Sequence, residues 1–342
     1  LSAGGGYYLR GAAVKGEVNV VTSKLGRDLV LTCAKLRVAN GARALNADSI
    51  EVEGRFFLRR GAQIDGIIDL ANASIGMICD EKDCWPQKRG LILDRCRYGA
   101  FGGNATPLDA SSRIAWLELQ DPALASQDFW PQPWEKCAQV LREMGHREDA
   151  RQVLIAKEAR QRKARRARAP EFLREWLGVW DRILAVTSAY GYRPFRTLWF
   201  LVGFWALGAL VFSDAAAHDQ IKPNNAFVLR SPEWVACAPD HAPAEDGQPS
   251  ARNGGRESQL DCYLAQPEAQ GYPAFNALVY SADTLLPIVE LEMQDFWLPD
   301  GAQGGWGAFA RLYLWVHIAL GWFLSLLAVA GFTGLIKTQD TE

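Results

Sequence analysis

AQIDGIIDLANASI, residues 62–75, holds the pattern on which the architecture of the amino-terminal third turns. Two phrases within it, Ala62–Gln63–Ile64 and Ala73–Ser74–Ile75, each place a small residue, a spacer and an aliphatic in the same order. Between them Gly66 marks a turn, and Ile68 and Leu70 flank Asp69 with the period of two that belongs to a strand. Upstream the phrase recurs as the triplet ending at Val14, then as Ser23–Lys24–Leu25, Ala34–Lys35–Leu36 and Asp48–Ser49–Ile50. The aliphatic positions therefore step by 11, 11, 14, 14 and 11 residues, and Val18/Val20, Leu29/Leu31 and Phe56/Leu58 add further alternating pairs. Short strands at a near-constant spacing, with Gly at the corners, predict a β-solenoid over residues 1–122 whose coils each bury an aliphatic stack. A sandwich of short strands is the other architecture that this pattern allows.

Past a less regular stretch, residues 79–122, the periodicity becomes helical. Residues 128–168 place Cys137, Val140 and Leu141 on one face, pause at Gly145–His146, then place Ala150, Val153, Leu154 and Ala156 on another. This predicts a tetratricopeptide-like helical hairpin with Gly145 ending its first helix. It runs into a basic tract, residues 160–168, expected to lie near anionic lipid headgroups rather than on nucleic acid. Across residues 171–192, Phe172, Trp176, Trp180, Ile183, Leu184 and Thr187 recur at three- and four-residue steps. Such a stripe predicts an amphipathic helix lying in a membrane interface, with packing against the hairpin as the alternative.

The whole chain of 342 residues is 49% hydrophobic and 22% charged, which excludes a disordered or collagen-like protein. Its net charge of −2 gives no overall attraction to nucleic acid, but the charges are segregated. Residues 136–196 carry fifteen Lys and Arg, about twice the number of acids, whereas residues 213–306 carry four against fourteen. Residues 194–217 and 312–336 are apolar, the second being 25 residues without a formal charge, and both are expected to span a membrane. Arg182, Arg193 and Arg196 precede the first and Lys337 follows the second, which predicts that both termini are cytoplasmic. Trp199, Trp306 and Trp315 stand near the span ends, where an indole keeps its N–H wet. No signal peptide is visible and the chain opens at Leu1, as expected of a piece of a longer protein.

Between the spans, residues 218–311 form an extracytoplasmic loop in this topology. Residues 239–257 are rich in Pro, Gly and Ala and are expected to be a flexible insertion, bracketed by Cys237 and Cys262 as a candidate disulfide. Cys79, Cys84 and Cys96 hint at metal ligands, but their spacing matches no recognised zinc pattern and no His is near, so no metal is expected. In residues 274–297 a helical start is broken by Pro287 and followed by Glu290, Glu292 and Asp295. Placed between two spans, this order suggests a re-entrant pore helix, with Asp283, Glu290 and Glu292 as acids at a pore mouth that would attract cations. An amphipathic helix resting on the outer leaflet is the competing reading. No TVGYG-like glycine filter is present, so potassium selectivity has no support.

His317, five residues into the second span, is an intramembrane ionisable group, either facing a partner or water, or held neutral on a carbonyl near the interface. Gly321-x3-Ser325 and Ala330-x3-Gly334 offer small-residue faces for self-association.

Taken together, the repeats, the segment ending VLIAKE (153–158), the span entry AYGYRPFRTLWF (189–200) and NALVYSADTLLPIVEL (276–291) resemble a family of bacterial membrane proteins. These carry pentapeptide-like or polymer-forming-like repeats ahead of a two-span, channel-like domain, and some bear a loose "membrane-associated oxidoreductase" label. The resemblance covers nearly the whole chain, and residues 190–194 and 280–287 are its most specific pieces. It implies a protein of the bacterial inner membrane that assembles as a homo-oligomer around a pore. A membrane-tethered solenoid scaffold without conduction is the alternative. For the oxidoreductase label the residues offer nothing: no G-x-G-x-x-G follows a strand, there is no CxxC, and the four His are scattered. No cofactor and no catalytic set is expected.

Overall fold

The computed structural model describes residues 2–39, 41–121, 129–238, 259–303 and 305–333. The chain divides into two compact units, Leu1–Ala185 and Val186–Glu342.

The first unit opens with a β-solenoid of about four turns. One face stacks Lys24–Leu25, Glu51–Leu58, Ser74–Asp80 and Arg97–Phe101. A second stacks Ala13–Lys15, Lys35–Arg37 and Gln63–Asp65, and a third stacks Val18–Asn19, Arg43–Asn46, Ile67–Asp69 and Leu91–Ile92. All these pairs are parallel, so each strand's neighbour lies one full turn away in sequence. Val14 stands opposite Leu36 and Leu36 opposite Ile64, while Leu25 stands opposite Val52 and Val52 opposite Ile75. The repeat of 11 to 14 residues is therefore half a turn, with successive phrases alternating between two faces. At Asp48–Ser49–Ile50 the phrase begins two residues too early: Val52 takes the aliphatic place, and Ile50 fills the position that Ser23 holds one turn earlier.

The corners explain why the phrase begins with a small residue. Carbonyls of Val20, Leu31, Leu70 and Leu93 accept from the amides of Ser23, Ala34, Ala73 and Cys96 at 3.0 to 3.3 Å. Within each turn the residue before that amide is left-handed: Thr22, Cys33, Asn72 and Arg95 have φ between 51° and 58°. This is the turn that asks for positive φ at its third position, where Gly or Asn sits most easily. Thr22, Cys33 and Arg95 accept a strain of about 1–2 kcal/mol apiece, held in place by the coils packed on either side. The next residue points inward with no room to spare, and Ala34 and Ala73 have no exposed surface. The expected glycines Gly16 and Gly66 serve a different corner, with φ of 130° and 150°.

The third face continues past Leu91–Ile92 as an isolated parallel bridge between Leu91 and Gln120. The solenoid's last long strand is Arg97–Phe101, after which the chain turns helical as α1 (Ala110–Leu117), α2 (Gln132–Glu143) and α3 (Arg147–Arg168). Asp109 caps α1 by accepting from the Ser112 amide at 2.9 Å. Arg113 on α1 is wholly buried and reaches back to Asp80 at the end of a solenoid strand, with two contacts of 2.8 and 2.9 Å. Covering the terminal rung in this way answers the exposed apolar edge that every solenoid leaves. The chain passes from α2 to α3 through Gly145, at φ 92°, and buried Lys157 pairs with Glu135 at 2.9 Å across the two helices. Next comes α4 (Glu171–Ser188), whose Asp181 receives Arg166 at 2.8 Å and Arg162 at 3.4 Å. Part of the basic tract is therefore neutralised within the unit, while Phe172, Trp176 and Trp180 on α4 are exposed.

The second unit holds α5 (Phe195–Ala217), the short helices α6 (Ala226–Arg230), α7 (Pro232–Ala236) and α8 (Gln259–Leu264), then α9 (Ala277–Leu285), α10 (Met293–Phe296) and α11 (Gly305–Phe332). Two of these, α5 with 23 residues and α11 with 28, are long and apolar enough to cross a bilayer, at about 34 and 42 Å for a rise of about 1.5 Å per residue. The second starts at Gly305, seven residues before the expected span boundary at 312. A two-stranded antiparallel pair, Ile221–Pro223 with Trp297–Pro299, joins the chain after α5 to the chain before α11. Beside it Lys222 pairs with Asp300 at 2.7 Å. The expected insertion at 239–257, the end of the second apolar run at 334–336 and Lys337 lie outside the described residues.

Candidate functional site

Three helices, α5, α9 and α11, pack around a small polar cluster. Asn276 caps α9, accepting from the amides of Leu278 and Val279 at 3.0 and 3.2 Å. One face of α9 is then buried: Tyr280 and Ser281 have no exposed surface. The Tyr280 ring meets Phe212 of α5 edge to face at 4.8 Å. Ser281 donates its hydroxyl to the Trp205 carbonyl at 2.8 Å, and the Trp205 indole N–H donates to the Leu278 carbonyl at 2.9 Å. From α11, His317 brings Nε2 to 3.2 Å from both the hydroxyl and the carbonyl of Ser281. Its Nδ1 is buried and has no hydrogen-bond partner among the described residues.

Two glycines make this approach possible. A Cβ on Gly208 of α5 would overlap the Ser281 hydroxyl and the His317 ring, and one on Gly321 of α11 would overlap the Leu285 carbonyl. Gly321, expected on a face for self-association, thus serves contact with α9 of its own chain. His317 stands twelve residues past the start of α11, about 18 Å along its axis, rather than near its end. Trp205 and Gly208 are likewise interior to α5. Helix α9 accordingly meets both long helices near their middles.

Beyond α9 the backbone is irregular. Leu286 leaves the helix at φ −96° and ψ 103°, the extended conformation that a proline imposes on the residue before it, so Pro287 ends α9 rather than kinking it. Asp283 is buried, and its two oxygens accept from the amides of Leu291 and Gln294 at 2.7 and 2.8 Å. One carboxylate thereby pins the loop that begins at Pro287. Glu290 and Glu292 are exposed, Glu292 in the left-handed region at φ 60°. Ile288, Val289 and Leu291 between and beside them are exposed as well, Ile288 at 84%.

Cys237 and Cys262 are joined by a disulfide with Cα atoms 5.8 Å apart. Among the free cysteines, Cys79, Cys84, Cys96 and Cys137 are buried and Cys33 is exposed. Burial pushes the Cys96 and Cys137 thiols up to about 12, so both stay protonated and are poor ligands or nucleophiles. Among the described residues no three His, Cys, Asp or Glu side chains gather as a metal site. No sequence pattern marks the Arg113–Asp80 pair: Asp80 is one of four consecutive charges, Asp80–Glu81–Lys82–Asp83, and Arg113 lies 33 residues farther along the chain.

The chain matches no family profile, no curated protein and no solved structure.

Proposed function

We propose that this chain is one subunit of a homo-oligomeric, channel-like membrane protein of the bacterial inner membrane, with its β-solenoid on the cytoplasmic side as sensor or scaffold. The observation that carries this reading is the nine-residue α9, which meets the middles of both long apolar helices and then gives way to irregular backbone bearing exposed Glu290 and Glu292. Irregular backbone at membrane depth is tolerated only where protein buries it or water reaches it. In a single copy, Ile288 is 84% exposed at that point; a ring of copies would enclose the loop around a shared axis. There Pro287 ends a re-entrant helix, Asp283 holds the loop in shape, and Glu290 and Glu292 attract cations. Outward apolar residues on both long helices, Leu198, Val202, Leu326 and Val329 among them, suit lipid. The exposed Phe172, Trp176 and Trp180 of α4 suit a helix lying in the interface. Basic residues flanking the spans favour cytoplasmic termini, and the resemblance to two-span bacterial proteins with amino-terminal repeats points the same way.

Single-channel recording from the purified protein in planar bilayers tests this. We expect cation currents, with E290Q/E292Q lowering conductance or shifting the reversal potential. Currents indifferent to the double variant would remove both glutamates from the pore, and silence across voltages and ions would favour a membrane-tethered scaffold.

A further inference from the structure

The contacts of His317 fix which of its ring nitrogens carries the proton. A carbonyl oxygen can only accept, so the 3.2 Å approach of Nε2 to the Ser281 carbonyl places the hydrogen on Nε2. The Ser281 hydroxyl, whose own proton goes to the Trp205 carbonyl, accepts from the same N–H. Nδ1 is then a bare lone pair, buried and without a donor among the described residues. One edge of the neutral ring therefore holds α9, and the other edge holds nothing.

A second proton on this ring could go only to Nδ1, and nothing there is placed to receive it. The imidazole has no exposed surface, with the Phe212 ring edge-on at 5.7 Å and the Tyr313 ring stacked at 5.3 Å. The ionisable groups of the three packed helices are Tyr280 and Asp283 on α9, Arg196 and Asp214 on α5, and Arg311 and Tyr313 on α11. Both tyrosine hydroxyls are buried, and neither bonds to Nδ1. Asp283 is engaged with the amides of Leu291 and Gln294, while exposed Asp214 lies 3.5 Å from the His218 ring. Arg196 stands twelve residues before Gly208, about 18 Å along α5, and Arg311 six residues before His317, about 9 Å along α11. Both are cations and oppose a further positive charge. No carboxylate is thus free to compensate an imidazolium, and a buried, unpaired charge is costly.

We propose that His317 is an acid-released latch on α9: the neutral ring holds α9 against α5 and α11, and the protonated ring lets it go. Because Nδ1 is buried, a proton reaches it only when α9 has moved away, so acid selects the released arrangement. The loop after Pro287 moves with the helix, since Asp283 carries the amides of Leu291 and Gln294. In the proposed channel, acid thereby displaces the segment bearing Glu290 and Glu292. That consequence rests on the channel reading; the latch rests on the packing of α9 and can be read in a protein that carries no current.

Hydrogen–deuterium exchange of the full chain in lipid nanodiscs tests it, with rates corrected for the intrinsic effect of pH on amide exchange. A released imidazole titrates near its ordinary value of about 6.5. Lowering the pH from about 7.5 to about 5 should therefore cut the protection of the Ala277–Leu285 amides about tenfold or more, while amides of α2 keep theirs. In H317Q the side-chain amide offers a donor at the reach of Nε2 and does not titrate. Its α9 should match wild type at the higher pH and stay protected at the lower one. H317F, which neither donates nor titrates, should lower protection at the higher pH and remove the pH dependence. Equal wild-type protection at both pH values, a pH effect that persists in either variant, or an H317Q already unprotected at the higher pH would each overturn the latch.

Discussion

Arg113 has no exposed surface, and the two contacts it makes with Asp80, together with the Phe101 ring 3.6 Å from its guanidinium, answer the cost of that burial. Removing one partner strands the other. Asp80→Asn or Arg113→Met should therefore lower the stability of the first unit by about 3–5 kcal/mol, whereas replacing both by apolar residues should cost far less; urea midpoints of the three variants check this. Asp109 presents the opposite case, a carboxylate at the surface. The hydroxyl of Ser111 and the amide of Ser112 hold it down to about 2. A depressed acid contributes stability that is present above its unfolded value, near pH 4, and is lost as pH falls through its folded value. Asp109→Ala should cost about 1 kcal/mol at pH 7. That difference should shrink between about pH 4 and pH 2, which denaturation of both forms across that window would reveal.

Among the elements, α9 is the one whose place depends most on close approach. Its carbonyl at Leu285 and its hydroxyl at Ser281 reach their neighbours only because Gly321 and Gly208 have no side chains. Gly321→Val should cost about 1–3 kcal/mol or more through overpacking, lower the melting temperature in detergent, and displace the loop bearing Glu290 and Glu292. Gly203→Val is the control, because a Cβ at Gly203 of the same unit meets nothing within 4 Å. Equal melting temperatures for the two variants would mean that α9 does not rest on α11 at Gly321. The solenoid corners obey the same logic at smaller scale: a buried position that admits only a small side chain sits directly after a residue held left-handed.

For the molecule as a whole, sidedness is the property most open to a direct experiment. Cys33 is exposed on the solenoid, the other free cysteines are buried, and Cys237 and Cys262 are bonded to each other. A membrane-impermeant maleimide should therefore label Cys33 in inverted vesicles and leave it untouched in right-side-out ones. The reverse pattern would place the solenoid outside the cell and overturn the assignment of both termini to the cytoplasm.

The sequence by itself determined a repeating series of short strands, through period-two alternation and the recurring small–spacer–aliphatic phrase, and the two long apolar helices, through long runs without charge; parallel pairing decided for the solenoid over a sandwich. The strands and the helices are local properties, written in neighbouring residues, and so survive without knowledge of the fold. The length of a turn was not local: a phrase that recurs twice per coil reads as half the true period until parallel pairing sets Val14 against Leu36. Nor was the role of Asp283, which resembles any acid near a predicted pore until the amides of Leu291 and Gln294 are found on its oxygens. Arg113 with Asp80 and the glycines beneath α9 belong to the same class. Each depends on residues far apart in the chain meeting at hydrogen-bond or van der Waals distance, and only tertiary packing decides which of them meet.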